Sequence, residues 1–486
     1  MLLLKLSPVL ALVYATTAHT SCGGGGNRNL EALFRSHVSP STEIASSYQI
    51  NFSTVVGPRW STWEAPAWSG AIKPALISDL KQIIKIAAKN NIPFIATNGG
   101  HGAKTGLGSF DGININLQNF NTVTVDAVNN RMTLGPGATL GAMVTEVFAA
   151  GKEIQTGNSW CPGGIGVTLG GGIGMLMGLH GLMIDDLQSV ELLTASGETV
   201  TASKDENEDL FWGIRGAGQT FGIVTAANYT VHDQTNGGFV TEANFYYTAA
   251  QNRSLWELIA TFDNVLPAKL SLQTAMLYNA TTDTASIWLS AWYVGSLDES
   301  QPYLDQFAAL GPFATEILNL TQVEVYYQSV TRGVCGTGHL LTAYTMGVGR
   351  TDPDTLETHF ADFVAFSRAN PAYFGQSYMQ WYSNKVNLQT PADSTVFPWR
   401  DVQAWWLLEN IILDDSLLSA VDDWSVLQRG NFHATSGFDD EHVYVNYAIG
   451  DEGPAAWWSE ANLPKLRALK ARWDPHNLFG KGYSLE

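Results

Sequence analysis

The sequence predicts an α+β protein in which both chain ends build one domain and a second domain, an antiparallel sheet flanked by helices, is inserted between them. Three observations predict this. Up to about residue 236, short β-like runs alternate with helical ones. From about Gly237 the chain turns to aromatic, alternating strands: TEANFYYTA, QTAMLYNA, TASIWLSAWYVG and QSYMQWYSN. Near Val443 a strand-then-helix pattern returns and runs out in LPKLRALKARWDPHNLFGKG.

The elements follow in order. Residues 1–18 open with Lys5 and an apolar stretch ending in small residues, the pattern of a secretory signal peptide too short to span a membrane. CGGGGN (22–27) is a flexible joint. SDLKQIIKIAAKNN (78–91) reads as a helix, with Ser78 as N-cap and Leu80, Ile83, Ile84 and Ala87 on one apolar face. IPFIA (92–96) is β-like and feeds a loop, TNGGHGAKTG, in which glycines surround His101. GININL (112–117) is a strand, and alternation around Asn129-Asn130 predicts a hairpin. Residues 139–150 read as a helix stopped by Gly151. The densest glycine region, TGNSWCPGGIGVTLGGGIGMLMGLHG (156–181), precedes a hairpin over 186–200 with a Ser196-Gly197 turn. SLWELIATF is a helical segment between the aromatic strands. No repeat of solenoid period is visible.

Composition narrows the function. The 486 residues are 45% apolar and 15% charged, as in a globular protein with a large core. Sixteen Trp and forty-seven Gly point to aromatic-walled sites and many tight loops. A net charge of −19, with no basic run, argues against nucleic acid or an anionic membrane as partner. A small molecule is the expected partner and a monomer the expected state. The leader and five Asn-X-Ser/Thr acceptors, at Asn51, Asn228, Asn252, Asn279 and Asn319, predict a secreted glycoprotein. Of the three cysteines, Cys22, Cys161 and Cys335, at least one is left over in a monomer; Cys22 and Cys335 are one possible pair.

The glycine loops invite a pyrophosphate-binding reading. They match neither G-x-G-x-x-G, since Gly164-Ile-Gly166-Val-Thr-Leu-Gly170 has one residue too many, nor a P-loop. No H-E-x-x-H is present, and the cysteines do not make a zinc site. What combines the loops is a set of motifs: PFIATNGGHG, TGNSWCPGGIGVTLGGGIG, DLFWGIRGAGQTFGIVT, VFPWRD, VYVNY and LKARWDPHNLF. Over about Trp60 to Tyr483 the chain resembles the berberine-bridge-enzyme-like branch of the flavoproteins with the PCMH-type (vanillyl-alcohol-oxidase-type) FAD domain. The resemblance implies an FAD-binding domain over 60–236, a substrate domain over 237–440 and a berberine-bridge-like segment, 441–486, returning to the first.

It also implies the site. His101 occupies the position usually bonded to the 8α-methyl of FAD. Asn98, Gly99, Gly100, Gly102, Gly163, Gly166, Gly170, Val224 and Asn446 fall among the cofactor-binding positions. Many members add a thioether from a cysteine to flavin C6. That position falls on Ser159, which has no thiol; Cys161, two residues on, is either the substitute or a free thiol beside the flavin. Two further departures are Thr97, where many members have arginine, and Trp399 in FPWR, where many have histidine; Pro162 stands where relatives place a valine over the flavin. A base must take a proton as hydride leaves the donor. Tyr444 is the first candidate, Tyr447 the second, and Glu409 a further one. Trp381, Tyr382, Trp405 and Trp406 are candidate pocket residues, of which alternate ones face away. The expected activity is an FAD-linked oxidase acting on a hydroxyl-bearing or similarly activated carbon of a secondary metabolite, with O2 as acceptor. An oligosaccharide oxidase, and more remotely a non-catalytic flavin-fold binding protein, are the alternatives.

Overall fold

The computed structural model describes residues 29–331, 335–336 and 338–485; the leader and Cys22 lie outside them. Its first sheet runs Glu43–Ser46, Ala67–Lys73, Asp111–Asn116, Phe94–Thr97, with the last three strands parallel. The helix Ile77–Lys89 makes the crossover and buries Leu80, Ile83, Ile84 and Ala87 against Ile72, Phe94, Ile113 and Ile115. It begins one residue before the expected cap at Ser78. Asp79 does the capping instead: its carboxylate accepts from Leu76 N at 3.2 Å, and from Ser39 Oγ and Thr42 Oγ1 at 2.7 Å each. The glycine loop leaves from the carboxyl end of Phe94–Thr97, where ligands of open parallel sheets sit.

A second, antiparallel sheet has the order Val123–Asp126, Arg131–Leu134, Ile223–Thr230, Leu187–Leu193, Thr199–Ser203. Its hairpins turn at Asn130 (φ 53°) and Gly197 (φ 76°), backbone that Asn and Gly tolerate best. The helix Leu140–Ala149 starts at Thr139, whose hydroxyl accepts from Ala142 N. Leu140, Met143 and Val147 share one core with Leu210, Phe211 and Ile214 of Glu208–Ala217 and with Leu463, Leu466 and Leu469 of the C-terminal helix Leu463–Trp473. The last fifty residues thus pack into the N-terminal half. Residues 443–449, read from sequence as a strand, form a turn instead, with Tyr447 N and Ala448 N both bonded to Tyr444 O.

Between them lies a seven-stranded antiparallel sheet. Its order is Ala314–Thr321, Phe239–Thr248, Thr284–Tyr293, Leu270–Asn279, Tyr373–Tyr382, Ala404–Ile412, Leu340–Val348. Alternation divides its two faces. Phe245, Leu289, Met379, Trp381, Trp406 and Leu408 turn to a core shared with the helices Asn252–Ala260, Leu297–Ala308, Pro353–Ala369 and Leu418–Thr435. The opposite face carries Asn244, Gln273, Trp288, Tyr378, Gln380, Tyr382, Trp405 and Glu409, and it roofs the glycine loops. Two of the four candidate pocket aromatics, Tyr382 and Trp405, are on this roof; Trp381 and Trp406 are in the helix-facing core.

Within that core His359 bonds Gln428 Oε1 at 2.8 Å and Ser377 Oγ at 2.7 Å, and burial pushes its imidazole down to about 4. An unfolded histidine takes up a proton below about 6.5, whereas this one does so only near 4 in the folded chain. Its stabilisation is therefore complete above pH ~6.5 and is lost as pH falls through that window. Calorimetry of His359→Gln is expected to give a lower Tm at pH 7.5 and a shallower fall in Tm between pH 6.5 and 4.5 than the native chain. An equal slope in both proteins contradicts this.

Candidate functional site

The first glycine loop is packed where its glycines require it. A Cβ on Gly100, at φ 70°, would lie 2.3 Å from Pro58 O, and one on Gly99 would lie 2.7 Å from Cys161 O. These close approaches bring the loop against residues 161–163 of the second glycine region. A Cβ on Gly102 or Gly166, in contrast, would meet nothing within 4 Å. Those two positions border open space. His101 stacks on Trp60, ring centroids 5.6 Å apart, and Trp60 N donates to Gly100 O at 3.1 Å. Arg59 Nη2 donates to Gly102 O at 2.7 Å. Burial pushes the His101 imidazole down to about 4, so its ring is neutral at pH 7 and a nitrogen lone pair is available.

The second loop corrects the cysteine expectation. Cys161 is disulfide-bonded to Cys335, with Cα atoms 5.7 Å apart. It is neither a substitute thioether nor a free thiol, and Cys335 is not the partner of Cys22. The bridge joins the loop beside His101 to the segment leading into Leu340–Val348. That segment is further stitched to the residues before the His101 loop: Thr62 N donates to His339 O at 2.8 Å and Ser61 Oγ to Leu341 O at 2.6 Å. Ser159 Oγ is buried without a protein partner, as is Asn98 Oδ1, while Asn98 Nδ2 donates to Ala138 O at 2.9 Å. Val224 is core: its side chain packs under the second sheet, so only its main chain is left to meet a ligand.

The C-terminal turn closes the site from the third side. The Tyr444 oxygen accepts from Gly172 N at 3.0 Å, Ile173 N at 3.4 Å and Asn446 Nδ2 at 2.8 Å. Asn446 Nδ2 also donates to Val167 O at 2.9 Å, and a Cβ on Gly170 would come 2.1 Å from Asn446 Oδ1. Tyr444 and Asn446 are thus occupied in clamping the glycine loop. Tyr447 points the other way, to the sheet. Its ring packs beside Trp288, Tyr378 and Leu407, and its hydroxyl donates to Gln380 Oε1 at 3.3 Å. Burial raises the Tyr447 hydroxyl, with the charges of Tyr444 and Glu409 adding to it. Burial also pushes the Glu409 carboxyl up to about 7.

Several site residues were not singled out from sequence. Trp60 and Lys104 flank or lie in the glycine loop; Asn158 donates to Tyr382 OH at 2.6 Å and accepts from Met175 N at 3.0 Å. A lysine inside a glycine-rich loop was the one readable sign among them. Trp399, where relatives carry histidine, bonds Ala456 O at 2.9 Å and stacks on His442, while Thr97 bonds Asn114 Oδ1 at 2.8 Å. Both departures have local partners. Among the described residues no group of three or more His, Cys, Asp or Glu is placed to hold a metal, and no helix is long and apolar enough to cross a membrane. Because the Cys161–Cys335 bridge closes a long loop, Cys335→Ser is expected to cost about 2–5 kcal/mol in urea unfolding. An unchanged midpoint speaks against the bridge.

A family model described as an FAD binding domain matches residues 68–203, and one described as berberine and berberine like matches residues 443–485. Those are the halves that carry the glycine loops and the closing turn. The chain is 45% identical over 458 residues to the FAD-linked oxidoreductase afoF of Emericella nidulans, covering 93% of this chain and 95% of that one. It is 41% identical over 461 residues to the FAD-linked oxidoreductase azaL of Aspergillus niger, covering 93% and 98%. The fold is that of BBE-like 1 from Physcomitrella patens, with a TM-score of 0.81 and 21% identity over 94% of this chain and 100% of that one. It is also that of a glucooligosaccharide oxidase from Acremonium strictum described with a 6-S-cysteinyl, 8α-N1-histidyl FAD, with a TM-score of 0.79 and 21% identity over 94% and 99%. The chain belongs to the berberine-bridge-like family of FAD-linked oxidoreductases.

Proposed function

We propose that this enzyme is an oxidase of a small aromatic secondary metabolite, holding FAD by a single covalent bond through His101 and using O2 as electron acceptor. The residues fit the cofactor. A neutral imidazole lies in a loop where Gly102 and Gly166 leave open space, and Asn98 Oδ1 and Ser159 Oγ are buried polar atoms without protein partners. With Ser159 lacking a thiol and Cys161 tied to Cys335, no cysteine is left in this loop for the second bond seen in the Acremonium strictum oxidase.

The observation that carries the reading is the placement of Glu409 near Tyr447 on the roof over the glycine loops, where burial pushes the carboxyl up to about 7. Bound FAD supplies the two-electron acceptor for a hydride from the substrate carbon. The chain supplies the place for the proton. As the C–H pair leaves the carbinol carbon, the O–H proton departs and C=O forms. A phenolate beside a carboxylate is disfavoured, so the proton comes to rest on Glu409, the Tyr447 hydroxyl turning from its long bond to Gln380 Oε1 to relay it. Three N–H groups hold the Tyr444 oxygen against the glycine loop, and we give that tyrosine the clamping role; the same bonds favour its phenolate while burial, the larger effect, opposes it. O2 gains two electrons and two protons and leaves as H2O2.

The roof supports an aromatic substrate. Ala275, Trp288, Tyr378 and Leu407 form a buried apolar wall that adjoins Tyr447. Its polar neighbours bond to one another: Trp288 Nε1 to Asn244 Oδ1 at 2.9 Å, Ser290 Oγ to Glu242 Oε1 at 3.2 Å, Gln380 Nε2 to Gln273 Oε1 at 3.1 Å. Hydrogen-bonding capacity spent internally is less available to the hydroxyls of a sugar. Export is also part of the reading, supported by a disulfide and by exposed acceptors at Asn51, Asn279 and Asn319. Asn252 is less suited to a glycan in this reading, because its side chain is buried and its Oδ1 accepts from Trp256 Nε1 at 2.6 Å. Asn228 is half-buried in a sheet and bonded to Thr133 and Ser189.

Two measurements test this. Peroxide release is expected from a panel of benzylic and phenolic alcohols and not from cello- or chito-oligosaccharides; the reverse result makes the enzyme a carbohydrate oxidase. The base must be deprotonated to act, so kcat/KM is expected to rise as pH rises through about 7. Glu409→Gln removes that limb and lowers kcat by about 10²–10⁴-fold. A limb that persists in the variant removes Glu409 from the mechanism.

A further inference from the structure

We propose that Lys104 is a positioning residue that sets the catalytic turn relative to the flavin-bearing loop, an inference that rests on the role given to Tyr447. Lys104 lies three residues after His101. Its Nζ donates to Val445 O at 2.9 Å and to Ala448 O at 2.9 Å, the two carbonyls that bracket Asn446 and Tyr447. The next residue repeats the link through the main chain, Thr105 N donating to Ile449 O at 2.7 Å. The loop proposed to carry the cofactor and the turn proposed to carry the proton relay are thereby joined at adjacent residues.

The lysine is unusual in where it keeps its charge. It is 3% exposed and forms no direct ion pair among the described residues. Its ammonium sits 4.8 Å from the ring centroid of Tyr483 and 5.2 Å from that of Trp457. The two ring faces and two carbonyls take the place of water around it. Burial pushes the Lys104 ammonium down to about 8, still above neutrality; the charge of Glu452 works the other way, and that carboxylate is held in turn by Ile449 N, Gly450 N and Trp457 Nε1 at 3.0–3.1 Å and by Arg429 at 3.3 Å. Glycine at 450 (φ 113°) is packed against this point, a Cβ there falling 3.1 Å from Thr105 N and 3.6 Å from Lys104 Cβ. A buried charge is a costly way to fasten a loop when packing alone would serve. What the ammonium adds is direction: two N–H bonds of fixed geometry to the two carbonyls around Tyr447. Without it, the turn keeps its clamps at Tyr444 and Asn446 and the Thr105 N–Ile449 O bond, and loses both bonds to the carbonyls that bracket Asn446 and Tyr447.

Lys104→Met keeps an unbranched side chain one atom shorter and removes the donors. In the FAD-loaded enzyme it is expected to leave flavin content at the wild-type ratio, lower kcat by about 100-fold, the scale of a 1 Å misplacement, and change KM far less. In flavin-free His101→Ala protein the same change is expected to speed amide exchange within residues 443–450 and not in the five-stranded sheet. Both results together support the proposal. Unchanged kcat overturns it, and so does unchanged or uniformly raised exchange. If Lys104→Met does not fold, Lys104→Gln, which retains a donor, is measured by the same two readouts, with a smaller loss in kcat expected. Tyr447→Phe separates the two readings. If that variant keeps full kcat, the relay role of Tyr447 falls, and the exchange result alone then decides whether Lys104 holds the turn.

Discussion

A short turn with no sheet to hold it, Tyr444–Ala448, has to be fixed against loops that lie 272 and 341 residues away in sequence. Backbone outside regular structure must still satisfy its polar groups, and here it does so through side chains. The Tyr444 oxygen takes two N–H groups of the glycine loop, Asn446 takes Val167 O, and Lys104 takes Val445 O and Ala448 O. Glycine at 170 follows from this, because a Cβ there would occupy the space of the Asn446 amide. The glycine richness of residues 163–174 is therefore partly a response to the closing turn and only partly open space for a cofactor.

The seven-stranded sheet does two jobs by alternation. One face is a conventional core in which Trp381 and Trp406 pack against helices. The other is a roof where polar groups are kept at the site by being bonded to each other. That arrangement leaves Glu409 half-buried, with no ion pair to a cation among the described residues, and desolvation brings its carboxyl to about 7. The same physics acts in the opposite direction on His101, since desolvation disfavours the imidazolium. A carboxyl raised towards neutrality and a neutral imidazole both follow from desolvation, with no charged partner required. The Cys161–Cys335 bridge then ties the roof's chain to the glycine loop, so the domain interface at this edge is covalent.

The sequence disclosed what depends on local chemistry. The His101 loop was legible because glycines that close a backbone approach and a single imidazole are close in sequence. The helices at 77–89 and 140–149 and the hairpins at Asn130 and Gly197 were legible from periodicity and turn residues. What could not be read depends on tertiary pairing. Alternation announced that half of Trp381, Tyr382, Trp405 and Trp406 would face the site, yet which half is set by where the helices lie. Tyr444 and Tyr447 differ by one turn of backbone, and the apparent strand over 443–449 gave no sign that the first would clamp a glycine loop and the second face the sheet. The pairing of Cys161 with Cys335 across 174 residues is invisible in spacing. The cap at Asp79 was missed because its partners, Ser39 and Thr42, come from a segment with no helical signal of its own.

His101 is proposed to carry the flavin alone, while Cys161 is committed to Cys335. Mass spectrometry of non-reduced tryptic peptides reads both statements at once. The expected result is the mass of FAD on the His101 peptide and a Cys161 peptide linked to the Cys335 peptide. A flavin mass on the Cys161 peptide, or an unmodified His101 peptide from yellow protein, would contradict it.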